Sequence, residues 1–256
     1  PYTTLFRSRS EERRVGKDVC RIHNALETRF LHLDRAKEAE RLEAMVRERT
    51  AQLAETQFEL VRCLARAGEF RDSDTGSHIL RVSIGCRMLA EAAGLSAHQV
   101  ELIRYASMMH DIGKIGVADR ILLKPMKLTP DEFEEIKTHC QYGMDIIGNH
   151  PADVTQMARD IAYTHHECWD GNGYPRGLRG EAIPIAGRIT AIIDVYDALT
   201  SSRPYKAAFS PNEALAMIRE GAGSKFDPNL VANFLLIHDT LRQQLDALGG
   251  DDSSAS

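Results

Sequence analysis

The chain has 256 residues, 43% of them apolar, and a formal net charge of −5. That length holds one catalytic domain of about 170–200 residues plus an extension, and the apolar fraction excludes wholesale disorder. The acidic balance argues against nonspecific nucleic-acid binding, so an anionic substrate needs a local positive centre of metal ions or a few placed Lys and Arg.

Residues 1–18 are dense in Arg and Ser without a clear period, and are expected to be a non-native or disordered segment. They lack an initiating Met and a signal-peptide pattern, which leads us to expect a fragment of a longer protein. Residues 19–67 contain no Pro or Gly and are predicted as one long helix. Leu42, Val46, Arg49, Leu53, Thr56, Leu60 and Cys63 alternate in steps of four and three, a heptad seam with two polar interruptions. The seam fits a signalling coiled coil that makes a homodimer and relays input from a missing upstream sensory or receiver domain. An amphipathic helix lying on its own domain is the other reading.

From 68 to 245 the pattern is helical throughout, giving an all-α fold, a helical bundle behind the long N-terminal helix. Ser96 with Gln99, Thr129 with Glu132 and Ser210 with Glu213 are capping boxes, the last two followed by Pro at the first helical position. The stretch 168–186 is rich in Gly and Pro, and a loop of that length is usually functional. Residues 246–256 are expected to be a disordered tail. No stretch approaches the ~20 apolar residues of a membrane span. The five cysteines form no C-x-x-C pair and read as free thiols of a reducing compartment, placing the protein in the cytoplasm.

His78, His110, His139, His165 and His166, together with Asp74, Asp111 and Asp194, occupy five separate predicted helices, mostly at apolar positions. A lone His on an apolar face is more often a satisfied core residue than a ligand; the joint pattern is what points to a dinuclear metal centre. Asp74 and His78 are four apart and share a predicted helical face. Asp111 adjoins His110 where a carboxylate can bridge two cations, and His139 is expected late in the helix opened by Thr129. Asp194, buried in an apolar helix, is costly without a metal or base. His and carboxylate without Cys suit Mn, Fe or Zn and disfavour a structural zinc site.

His110-Asp111-Ile112-Gly113-Lys114 resembles the HDIGK signature of the HD phosphohydrolase superfamily. The run from His165 to Pro175 (HHECWDGNGYP) is similar to the HHExxxGxGYP signature of its HD-GYP group. The segments from Asp194 to Lys206 and from Gly223 to Pro228 resemble later family motifs, so the resemblance covers about residues 60–240. It implies hydrolysis of cyclic di-GMP to pGpG and possibly GMP, by attack of a hydroxide bridging two or three divalent ions, Fe or Mn foremost. It assigns metal ligation to Asp74, His78, His110, Asp111, His139, His165, His166 and Asp194. Asp74, often Glu in the family, is a methylene short for a third ion. Asp111, Lys114 and Asp197 become the catalytic residues, Asp197 orienting Lys114 or assisting the leaving oxygen. Lys114, Tyr174, Arg203 and Lys206 become substrate contacts, and Glu167 an imidazole-orienting partner. The implied partners are cyclic di-GMP and diguanylate cyclases. The alternatives are a catalytically silent cyclic-dinucleotide sensor and a hydrolase of another cyclic dinucleotide or of nucleotides.

Overall fold

The computed structural model describes residues 9–70, 77–201 and 208–251. In chain order the helices are α1 (Arg9–Glu69), α2 (Ser77–Ala92), α3 (Ala97–Ala106), α4 (Asp119–Leu122), α5 (Pro130–Lys137), α6 (His139–Ile147), α7 (Asp153–Thr164), α8 (Ile185–Thr200), α9 (Pro211–Glu220) and α10 (Pro228–Asp251). Short 3-10 turns follow α3 at Ser107–Met109 and Ile112–Gly116. No strand occurs among the described residues, only isolated bridges such as Asp170 with Arg179. The fold is all-α, as the periodicity predicts.

The chain divides into two units, Pro1–Gln57 and Phe58–Ser256. In the first, every described side chain from Glu12 to Gln57 is exposed, including seam residues Leu42, Val46 and Leu53. The helix extends back from Val19 to Arg9. Glu11, Glu12, Arg13, Arg14 and Lys17 are good helix formers, enough to absorb the roughly 1 kcal/mol cost of Gly16. At the other end α10 runs to Asp251.

The second unit is a bundle around Leu89, Ile103, Ile161, Ile189, Ile192, Phe234 and Leu241, all fully buried. Helices α2, α3, α7, α8, α9 and α10 supply this core. All three capping boxes form: Ser96, Thr129 and Ser210 each accept from the backbone N–H three residues on, and Gln99, Glu132 and Glu213 reach back. Each satisfies two otherwise orphaned donors and contributes about 1 kcal/mol. A smaller cluster of Ala65, Ile79 and Met108, with Phe58, Val61 and Leu80 packed on it, holds the last turns of α1. There Gly68 lies so close that an added Cβ would sit 2.6 Å from Ile112 Cδ1, which brings the end of α1 to the 3-10 turn after His110-Asp111.

Candidate metal centre

Every imidazole of the centre comes from a helix end. His78 stands in the first turn of α2, and His110-Asp111 lies between the two 3-10 turns behind α3. His139 opens α6 instead of lying late in the helix started by Thr129. The break is at Thr138, whose backbone N–H bonds Glu135 and Ile136 carbonyls and ends α5. His165 caps α7, and Asp194 lies in mid-α8. The turn carrying Asp111 packs directly on α6: a Cβ on Gly113 would stand 1.9 Å from the His139 carbonyl, so only glycine allows this approach.

The ring nitrogens are sorted by backbone carbonyls. Nδ1 of His110 donates to the Ser107 carbonyl at 2.8 Å, Nδ1 of His139 to Ile136 at 2.6 Å, and Nδ1 of His165 to Ile161 at 3.1 Å. A carbonyl only accepts, so each Nδ1 carries a hydrogen and Nε2 is the ring atom left to face inward. The Nε2 atoms of His139 and His165 stand 3.5 Å apart, and Asp111 Oδ1 is 3.3 Å from the first and 3.5 Å from the second. Three acceptors therefore converge on one point, and His166 adds a fourth donor atom to this group. Burial pushes His139 down to about 4 and, with its His165 and His139 neighbours, holds His166 well below the usual imidazole range. Protonation of His139 and His166 is therefore disfavoured at neutral pH, and a cation would relieve the convergence.

A second group combines Glu69, His78 and His110, whose ligand atoms lie within 4.8 Å of one another. Asp194 Oδ1 is 3.7 Å from Nε2 of both His78 and His110. Asp111 faces both groups, its Oδ2 being 3.4 Å from His110 Nε2 and 2.8 Å from Lys114 Nζ. Burial raises the cost of its charge, yet Lys114 and His110 outweigh this and hold Asp111 well below the ordinary carboxylate range. Burial also works against charge on His110, but Asp111 and Asp194 lift its pKa well above the usual value. The buried His110 Nε2 and Asp111 Oδ1 have no hydrogen-bond partner. Convergent imidazoles, carboxylates and orphaned acceptors, with free cysteines only, fit divalent cations of the Mn, Fe or Zn kind.

Asp197 departs from its expected part beside Lys114. Its Oδ2 accepts from His78 Nδ1 at 2.6 Å, and Arg81 Nε reaches its Oδ1 at 2.6 Å. It is buried, on the far side of the imidazole from the ligand atom, where it fixes His78's tautomer and orientation. Burial opposes its charge, but His78 and Arg81 keep its pKa below normal. Glu167 also differs: its two oxygens accept from the backbone N–H groups of Arg176 and Leu178, both at 2.9 Å, so it closes the Gly-rich loop rather than orienting a ring. A Cβ on Gly173 would stand 2.1 Å from Cys168 N, the tightest point of that closure.

Tyr174 lies over His166, ring centroids 4.7 Å apart, and Phe133 meets it edge-on at 6.1 Å. Lys137 Nζ stands 4.9 Å from the Phe133 ring centroid and 5.4 Å from that of Tyr174. Phe133 and Lys137 escape a motif search because they reach the site from α5, outside the signatures. The loop is braced from behind by Trp169 N–H and Asp170 N–H, which donate to the Lys225 and Ser224 carbonyls. Asp74, Arg203 and Lys206 lie outside the described residues. Glu69 is the buried acid that sequence reasoning misses.

The HD domain family matches residues 49–230 of this chain. A 3'3'-cGAMP-specific phosphodiesterase of Vibrio cholerae is 44% identical over 186 residues, 73% of this chain and 35% of that protein. A cyclic di-GMP phosphodiesterase of Thermotoga maritima is 40% identical over 222 residues, 84% of this chain and 60% of that protein. The chain thus spans between a third and three fifths of the length of these relatives. The crystal structure of a cyclic GMP-AMP-specific phosphodiesterase of Vibrio cholerae superposes with a TM-score of 0.57 at 19% identity, over 73% of this chain and 50% of that one, a likeness of fold. With the family match, the two signatures and this fold together, the chain belongs to the HD-domain family, in its HD-GYP group.

Proposed function

We propose that this chain is a metal-dependent phosphodiesterase that hydrolyses a cyclic dinucleotide, cyclic di-GMP first, to the linear pGpG and on to GMP. The observation that carries the reading is Asp111, whose two oxygens face two separate groups of inward-turned imidazoles while Lys114 stands beside one of them. Asp111, His139, His165 and His166 would hold one Mn or Fe ion, and His78, His110 and Asp194 another. When bound, the cations supply the positive charge that acidifies a water and offsets the phosphate.

The remaining work falls to the chain itself. Lys114, its Nζ 2.8 Å from Asp111 Oδ2 at the edge of the centre, takes a non-bridging phosphate oxygen. Asp197 and Arg81 keep His78 in one orientation. Tyr174 and Phe133 offer ring faces to a base, with Lys137 placed for a guanine carbonyl or the second phosphate; Arg203 and Lys206 keep the substrate-contact role that the motifs imply. Hydrolysis of 3'3'-cGAMP is the second reading, favoured by the name of the Vibrio relative. No described helix is long and apolar enough to cross a membrane, and the free thiols fit a cytoplasmic location. The exposed Leu42, Val46 and Leu53 fit a homodimeric seam on α1.

The test is turnover by the purified chain loaded anaerobically with Fe(II) or with Mn(II), products separated by chromatography. We expect cyclic di-GMP to yield pGpG, and chelator to stop it. Metal-loaded protein that cleaves neither cyclic di-GMP nor 3'3'-cGAMP overturns the reading.

A further inference from the structure

We propose that Glu69, the last residue of α1, is the carboxylate ligand of a divalent-cation pocket that it forms with His78 and His110. The inference rests on the reading of the chain as a metal-dependent hydrolase and adds to it a ligand that lies outside every signature motif.

Three observations converge. Glu69 is 4% exposed, and both its carboxylate oxygens are buried without a hydrogen-bond partner. Among the described residues His78 Nε2 stands 3.8 Å from its Oε1, too far for a hydrogen bond. A buried carboxylate left in this state costs several kcal/mol unless a cation compensates it. Second, the residue ends a helix, where the dipole presents its negative pole and disfavours an acid. Among the described residues no hydrogen bond rewards a glutamate at this place. Third, the facing Nε2 of His110 is itself buried and unpartnered, while His78 has its Nδ1 tied to Asp197 and so aims Nε2 at the same point. One carboxylate and two imidazoles form a donor set suited to Mn, Fe or Zn.

The position is held rather than incidental. Ala65 packs with Ile79 and Met108, and Gly68 lies against Ile112, so the last turn of α1 is anchored on both sides of the pocket. Asp74 is a methylene shorter than the acid that the family often has at its position, and Glu69 supplies the longer side chain from the preceding helix. The acid would then come from the end of α1.

The experiment counts Mn(II) per chain by mass spectrometry after dialysis, and follows Mn(II)-induced thermal stabilisation. It compares wild type with Glu69→Gln, Glu69→Asp, Asp74→Asn and His139→Ala. Glu69→Gln keeps the shape and removes the charge; we expect it to lose about one ion per chain, or to weaken that ion at least tenfold, as perturbed metal ligation does. Glu69→Asp, too short by one bond, should show an intermediate loss, and its retained charge guards against a folding artefact. Asp74→Asn should keep the ion. A Glu69→Gln protein with the wild-type Mn(II) count and stabilisation overturns the proposal and leaves Glu69 a mere neighbour of His78. Loss of the ion in Asp74→Asn but not in Glu69→Gln overturns it in favour of Asp74. If His139→Ala loses an ion while Glu69→Gln does not, only this inference fails. If wild type binds no Mn(II), the proposed function fails with it.

Discussion

The half of the centre built from Asp111, His139, His165 and His166 is rich in imidazole; the half built from Glu69, His78 and His110, with Asp194 and Asp197 alongside, is rich in carboxylate. Burial acts on both, with opposite consequences. In the first half it keeps His139 and His166 neutral, their lone pairs free at pH 7. In the second, burial is outweighed at His78 by Asp197 and Asp194 and at His110 by Asp111 and Asp194, so both imidazoles hold protons more tightly than usual. A cation entering the first half meets ready ligands. In the second it must displace protons, so uptake there depends more steeply on pH.

The largest expected effect removes what the halves share. His110→Ala combined with Asp111→Ala should abolish hydrolysis and deplete metal from both halves, measured by turnover and metal analysis. Near wild-type metal content in that double variant would mean that the halves do not share a ligand. Asp197→Asn should act on one half alone. It removes the charge that holds His78 Nδ1–H, and loss of such an outer partner costs about 10–100-fold in metal affinity. Isothermal Mn(II) titration should show one weakened site and one unchanged; two equally weakened sites would erase the distinction.

Acid titration of the chelated protein sharpens the comparison. His139 has a folded pKa of about 4 against 6.5 when unfolded, so its contribution is fully present above pH 6.5 and disappears as pH falls through 4, on the order of 3 kcal/mol. Glu69 runs the other way. Burial raises it to about 6 from 4.5, so its contribution is present below 4.5 and lost as pH rises through 6, on the order of 2 kcal/mol. Glu69→Gln should therefore make the chelated protein more stable at pH 7, and His139→Gln should flatten the acid limb. Denaturant midpoints across pH 4–8 check both signs.

The imidazole-rich half is legible in the sequence because its residues adjoin one another or belong to motifs, although the helices that deliver His139 and His165 carry no side-chain N-cap. The carboxylate-rich half was only partly legible. His78 and Asp194 stood out as polar residues in apolar helices, but Glu69 sits at the end of a helix crowded with exposed Glu and Arg, and only the packing of Gly68 on Ile112 turns it inward. The partners of Asp197 and Glu167 are not legible in the sequence for a related reason. A motif says that an acid is needed, whereas its partner is set by the fold: His78 and Arg81 for one, the backbone of Arg176 and Leu178 for the other.

The smallest expected effect concerns Cys140, which borders the imidazole-rich half. Its Sγ is 3.5 Å from His139 Nε2, close enough to suggest a fifth ligand there. The electrostatics decide against it. Burial, reinforced by the charges of Asp111 and Glu167, pushes the thiol far above its ordinary pKa, and only the thiolate ligates metal well. A neutral thiol beside a neutral imidazole is a small apolar filler with a weak S–H donor. Cys140→Ala should thus leave metal content and turnover within about twofold of wild type, and destabilise the fold by roughly 1 kcal/mol through the small cavity left behind. Metal analysis and thermal melting of the metal-loaded variant are sufficient. Loss of one ion in Cys140→Ala would make the thiol a ligand, and the centre would then no longer divide into an imidazole-rich and a carboxylate-rich half.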